Sequence, residues 1–168
     1  GGGDKVKGIG MANTEYQVEV VTREAVTIVG VYIDTNMNDS ALACPRLWSE
    51  VFGPRMEEIP TFAGDSYGVS VMGSGDAFKY LAGLVHVPGQ PIPKGMSTLD
   101  LPGGLYACCQ LTGLPGLALV YKYFYHVWGP GSDYEFILDS PCYELYPANH
   151  MQTGRLSLYM PVRPKIEN

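Results

Sequence analysis

The sequence predicts an α+β fold, a mostly antiparallel sheet carrying two main helices, built from two halves with the same order of elements. Three observations carry this. Segments rich in Val, Ile and Tyr alternate with period two and are bounded by Gly, Pro, Asn or Asp. Two other segments have helical spacing, and each runs into a Gly-Pro pair. The order strands, helix, two strands occurs twice about the Pro/Gly-rich stretch PGQPIPKGM.

Residues 1–14 read as a flexible leader and 15–165 as a single domain, with pseudo-repeats at about 15–88 and 97–165. YQVEVVTREAVTIVGVYID is extended, with a turn at Arg23 and Glu24. NDSALACPRLWSEVFGPRMEEI is a helix capped by Asp39 or Ser40, with Leu47 and Val51 on one face and Trp48 and Phe52 on the next. Pro45 suits only its first turn, and Gly53-Pro54 should break or kink it. DSYGVSVMG and FKYLAGLVHV are strands joined by the turn GSGD; Tyr67, Val69 and Val71 share a face of the first, and Phe78, Tyr80, Ala82 and Leu84 a face of the second.

Beyond the midpoint, STLDLPGGLYACCQLTG is extended about a glycine turn. A second helix begins near Leu117, and Leu117, Tyr121, Tyr125 and Trp128 fall close together on its wheel before GPG ends it. DYEFILD and CYELYP bracket a turn at Ser140 and Pro141, and GRLSLYMPVR is the last strand. The junction of the halves is a natural place for a cleft.

With 168 residues, 46% of them hydrophobic, the chain can bury a full domain core. A net charge of −6 without any run of Lys or Arg disfavours a phosphate-tracking surface, so no direct nucleic-acid binding is expected and cationic or neutral partners fit better. Cys44, Cys108, Cys109 and Cys142 form no CxxC pair and have no histidine at ligand spacing; no metal or cofactor is expected. Scattered thiols without a signal peptide point to the cytoplasm. No apolar run approaches the roughly 20 residues that cross a bilayer. His86, His126 and His150 belong to no Ser/His/Asp arrangement, and the glycine-rich segments read as turns rather than phosphate loops.

Four segments of the second half carry a family resemblance: LPGGLYACCQLTG, YKYFYHVW, GSDYEFILDSPCYELY and RLSLYMPV, joined in the first half by EAVTIVGV and ALACPRLWSEVF. In that order they resemble the gyrase-inhibitor-like, or AraC-type, effector-binding domain of bacterial multidrug-sensing regulators, from about Tyr16 to Pro164. The resemblance implies duplicated βαββ units around a central ligand groove. It also implies a stand-alone bacterial effector binder: the helical DNA-binding domain that precedes the sensor in such regulators has no room here, so DNA binding would come from another chain.

The resemblance carries the family's buried acid onto Glu144 through YELY, facing the same way as Cys142 and Tyr146. A carboxylate in an aromatic cavity is costly without a partner, and a hydrophobic organic cation can supply one by ion pairing and cation–π contact. Trp128, Tyr125, Tyr106 and Tyr146 are the accompanying candidates for stacking or hydrogen bonding, with Tyr121 one turn before Tyr125. Trp128 could equally be core, and Glu144 could face solvent or pair with Arg155. Trp48, Tyr67, Met72 and Met160 rank behind these.

Two other functions stay open. Some relatives of this type hydrolyse small electrophiles; in that reading Glu144 would be the general base here, with Tyr134 or Glu135 nearby. Others bind and inhibit a protein partner, and a protein partner is possible here too; the chain itself is expected to be a monomer or homodimer. Whether the chain is an enzyme is left undecided.

Overall fold

The computed structural model describes residues 4–7 and 15–166. In chain order the strands are β1 (Asp4–Lys7), β2 (Glu15–Arg23), β3 (Val26–Asn36), β4 (Ser66–Met72), β5 (Ala77–Val85), β6 (Ser97–Leu101), β7 (Gly104–Thr112), β8 (Tyr134–Phe136), β9 (Cys142–Tyr146) and β10 (Arg155–Pro164). Two helical arms interrupt them. The first is α1 (Ser40–Arg46), continued by a π-helical turn (Leu47–Phe52) and a 3-10 turn (Gly53–Glu58). The second is α2 (Leu117–Tyr123), a π-helical turn (Phe124–Trp128) and the short α3 (Gly129–Gly131). A last turn of helix, α4 (His150–Thr153), precedes β10. This is the α+β architecture read from the sequence, with two main helices on an antiparallel sheet. Of the leader 1–14, Asp4–Lys7 pairs along β2, and the rest lies outside the described residues.

The strand order is β1-β2-β7-β10-β9-β4-β5-β3-β6, with β8 also paired to β10. Its two halves mirror each other: β7-β10-β9 corresponds to β3-β5-β4, and β4 pairs with β9 at the centre. The strand before each unit crosses over. β2 lies against β7 of the second unit and β6 against β3 of the first. Only Glu24 and Ala25 join β2 to β3, and only Pro102 and Gly103 join β6 to β7, although these strands lie far apart in the order. The sheet must therefore curl until its ends meet. The two corners touch there: a Cβ on Gly103 would stand 2.9 Å from the Ala25 nitrogen.

Period-two alternation then divides the core. Under the first arm lie Val29, Leu47, Phe52, Tyr80, Ala82 and Leu84. Val18, Ala107, Val120, Phe124, Trp128 and Leu158 lie under the second. The opposite face, inside the curl, buries Ile28, Tyr67, Val69, Leu81, Tyr106 and Tyr143.

The arms share a device. Gly53 N–H donates to the Trp48 carbonyl and Gly129 N–H to that of Phe124, both five residues back, which widens each arm by one residue in its last turn. Phe52-Gly53-Pro54 and Trp128-Gly129-Pro130 occupy equivalent places. At Gly53-Pro54, where a break or kink is expected, the chain narrows into a 3-10 turn, whose first positions need no N–H from Pro54. Pro45 departs from expectation. It lies late in α1, not in the first turn, and its own carbonyl accepts the Ser49 hydroxyl at 3.0 Å. Asp39 stands at the cap position, but its carboxylate accepts from Asn36 Nδ2 at 2.9 Å and caps no helix N–H.

Gly129 has no room for a side chain, since a Cβ would lie 2.8 Å from the Phe136 ring and 2.9 Å from the Phe124 carbonyl oxygen. Gly129→Ala is expected to cost about 1–3 kcal/mol in denaturant unfolding. Gly64→Ala, whose Cβ would meet only the Thr61 carbonyl at 3.4 Å, should stay within roughly 0.5 kcal/mol.

Candidate functional site

Glu144 sits on β9 at the midline of the helix-covered face, only 6% exposed. Three tyrosine hydroxyls donate to its carboxylate: Tyr146 at 2.7 Å and Tyr80 at 3.3 Å to Oε1, and Tyr121 at 3.3 Å to Oε2. They come from β9, β5 and α2, so both halves contribute. Trp48 of the first arm donates its indole N–H to the Tyr80 hydroxyl at 2.9 Å and sets its ring edge-on to Tyr146, centroids 5.7 Å apart. The arms thus meet over one carboxylate.

Local sequence explains the arrangement. The cross-strand partner of Glu144 is Gly68, and its neighbours on that face of β4 are Ser66 and Ser70. Small residues leave the space that the Glu144 side chain and the Tyr80 ring occupy. A Cβ on Gly68 would collide with the Tyr80 hydroxyl and lie 3.0 Å from Glu144 Oε1.

Burial raises the Glu144 carboxyl above its ordinary range, and the hydroxyls of Tyr146, Tyr80 and Tyr121 offset this only in part. The carboxylate in turn reinforces what burial does to its neighbours. Tyr80 is held well above a normal phenol, and the Cys142 thiol is pushed up to about 12 and that of Cys44 to about 11. These thiols stay protonated at neutral pH. Among the described residues no acid–base cluster could hold a metal ion, and no ion pair reaches Glu144. Arg155 is exposed at the far end of β10, opposite Thr112.

Of the residues singled out by sequence, the structure brings Glu144, Tyr146, Tyr121 and Trp48 together. Tyr125 stands at the outer edge, 42% exposed, with its ring 5.3 Å from Phe136. Trp128 does not line this space. It is fully buried beneath the second arm, 5.9 Å from Phe124 and stacked on Tyr134 at 6.2 Å. The wheel that grouped Tyr121, Tyr125 and Trp128 assumed a regular helix, and the π-helical turn rotates the later residues away. Tyr106 faces the other side of the sheet, because on β7 it is Ala107 and Cys109 that point at the helices. Tyr67 lies there too, against Tyr143, and not in a groove. Met160 is core, and Met72 is half-exposed.

Glu135 pairs with Arg163 at the surface at 2.8 Å and Tyr134 stacks on Trp128, so neither is brought to Glu144. Sequence reasoning missed Tyr80 and Gly68. The signal was present in SYGVS, a strand whose alternate positions are all small, with a mid-strand glycine marking a close approach.

Residues 16–163 match the family model described as a GyrI-like small molecule binding domain. The chain belongs to this family. Among solved structures, SAV2435 bound to tetraphenylphosphonium is similar, with a TM-score of 0.67 at 14% identity over 87% of this chain and 93% of that one. So is an integron cassette protein from the mobile metagenome of Vibrio cholerae, with a TM-score of 0.60 at 14% identity over 87% and 95%. The EcmrR C-terminal domain matches with a TM-score of 0.63 at 14% identity over 89% and 99%. At such identity these three establish the fold. A sequence search of curated proteins finds no match. No helix among the described residues of this GyrI-like domain is long and apolar enough to cross a membrane.

The raised Glu144 carboxyl has a definite sign in stability. The folded state holds this proton to higher pH than the unfolded chain does, so the contribution is fully present below the ordinary carboxylate range and is lost as pH rises through the raised value. Glu144→Gln should therefore be more stable than the native domain at pH 7.5, by a margin that shrinks towards pH 4 in parallel denaturant titrations. A margin independent of pH would show that burial does not strain this carboxylate. Gly68→Ala should lose about 1–3 kcal/mol by crowding Tyr80.

Proposed function

We propose that this GyrI-like domain captures hydrophobic organic cations between its two helical arms, with Glu144 as the counter-charge. One observation carries the reading: a carboxylate buried at the centre of the fold has three hydroxyl donors and, among the described residues, no cation paired with it. Hydroxyls orient such a group without neutralising it, and a lipophilic cation brings the missing charge without needing water. Tyr80, Tyr121, Tyr146 and Trp48 offer ring faces to an onium centre. SAV2435, of the same fold, was solved with tetraphenylphosphonium, a cation of this kind.

Because Glu144 is 6% exposed, side chains around it must part to admit a ligand. Rings that shift as units tolerate varied outlines, which favours a broad range of aromatic cations over one shape.

Calorimetric titration with tetraphenylphosphonium tests this. Binding at pH 7.5 should exceed that of the neutral, similarly sized triphenylphosphine oxide by about tenfold or more, and Glu144→Gln should remove most of that difference. As pH falls the cation should be released above the ordinary carboxylate range, because proton and ligand compete for one group whose affinity for protons is raised. Equal affinity for the two compounds, or full cation affinity in the Gln variant, would refute the reading. Tryptophan quenching should come from Trp48 and persist in Trp128→Phe.

A further inference from the structure

The mirrored halves give a measure of where the chain departs from its own plan. Glu144 departs once, standing opposite Gly68. The other departure is on the opposite face of the sheet. There Arg23, Tyr159, Tyr106 and Cys108 of the second half's sheet occupy the places held in the first half's by Leu101, Gly83, Ile28 and Gly30. The first-half set is closed core: Leu101 and Ile28 are buried, and a Cβ on Gly30 or Gly83 would strike neighbouring backbone. The second-half set is a partly open patch holding a cation.

Arg23 is fixed within it. Its Nε donates to the Tyr143 hydroxyl at 3.1 Å, and its guanidinium carbon stands 4.7 Å from the centroid of the Tyr159 ring. Tyr159 stacks on Tyr143 at 4.9 Å, and Tyr106 closes the cluster from 5.5 Å. Arg55 and Arg163 are paired with glutamates, whereas among the described residues no carboxylate lies within ion-pair distance of Arg23. Nε is engaged by Tyr143 and the Tyr67 hydroxyl also interacts with the guanidinium, which leaves the other N–H donors of a pre-oriented planar fork beside aromatic rings.

We propose that Arg23, with Tyr159 and Tyr143, forms a second ligand site, one for a small aromatic carboxylate, on the face opposite Glu144. The carboxylate takes the guanidinium fork, and the ring lies along the half-buried Tyr159. Glu19, on the same face of β2 and opposite Cys108, limits the charge the site accepts, so a monoanion fits better than a dianion. The site shares no residue with that proposed for cations and stands or falls separately from it.

Benzoate is the probe, benzamide its neutral counterpart, and the Arg23 Nε–H resonance of 15N-labelled native protein the readout. Benzoate should shift that resonance saturably, with a midpoint at least tenfold below that of benzamide. Arg23→Met should abolish the benzoate effect on Tyr159 ring resonances, Glu19→Gln should lower the midpoint roughly twofold, and Glu144→Gln should leave it unchanged. Benzamide acting as well as benzoate, no saturable shift, or benzoate binding kept in Arg23→Met would each overturn the proposal. If Arg23→Met does not fold, the benzoate and benzamide comparison on native protein decides it alone.

Discussion

The rest of the molecule depends on one rung of the ladder between β4 and β9, where Gly68 faces Glu144. Antiparallel pairing with side chains of period two means that a slip of one residue would bring Tyr143 or Leu145 onto the helix face and send Glu144 to the other. Apolar alternation on both strands forbids that slip, since Tyr67, Val69 and Tyr143 must stay inside the curl. The same rung leaves the gap into which Tyr80 reaches. Tyr80 in turn gives Trp48 its hydrogen-bond partner, so the first arm is tied to the carboxylate through two successive bonds.

Glu144 is held between opposed effects. Three hydroxyls favour the ionised form and burial disfavours it, with burial the larger. A polar network of this kind is fully satisfied as hydrogen bonds yet unsatisfied as charge. That combination suits a group whose partner arrives from outside. The tyrosines keep the acid oriented in the meantime, and their own raised ionisation keeps them neutral donors across the physiological range.

Fold class and the order of elements along each half were legible in the sequence because they rest on periodicity, and the central acid because the YELY segment resembles that of the family. YELY fixed Glu144 and Tyr146 on one face by alternation alone. What could not be read was long-range or depended on departures from regular geometry. Tyr80 joins the site through β5–β4–β9 pairing, which no local pattern reveals. Trp128 and Tyr125 were misgrouped because a wheel assumes 3.6 residues per turn, and the π-helical turns that precede both Gly-Pro pairs leave no mark in the periodicity. Tyr106 needed only its parity relative to Ala107 to be set on the other face, but parity has no meaning until one strand's inner face is known.

The exchange of β2 and β6 between the halves ties each unit to the other's edge, and β4 and β9 meet on the axis that relates them. Two identical copies of one half, assembled as a symmetric pair, would have to place the same residue on both sides of that axis: two facing carboxylates repelling each other, or two glycines with no charge at all. A single acid at the centre is open only to a chain in which both halves are covalently joined and free to differ. Continuity of the polypeptide is thus itself part of the proposed binding chemistry, because it allows a single acid on an axis of pseudo-symmetry.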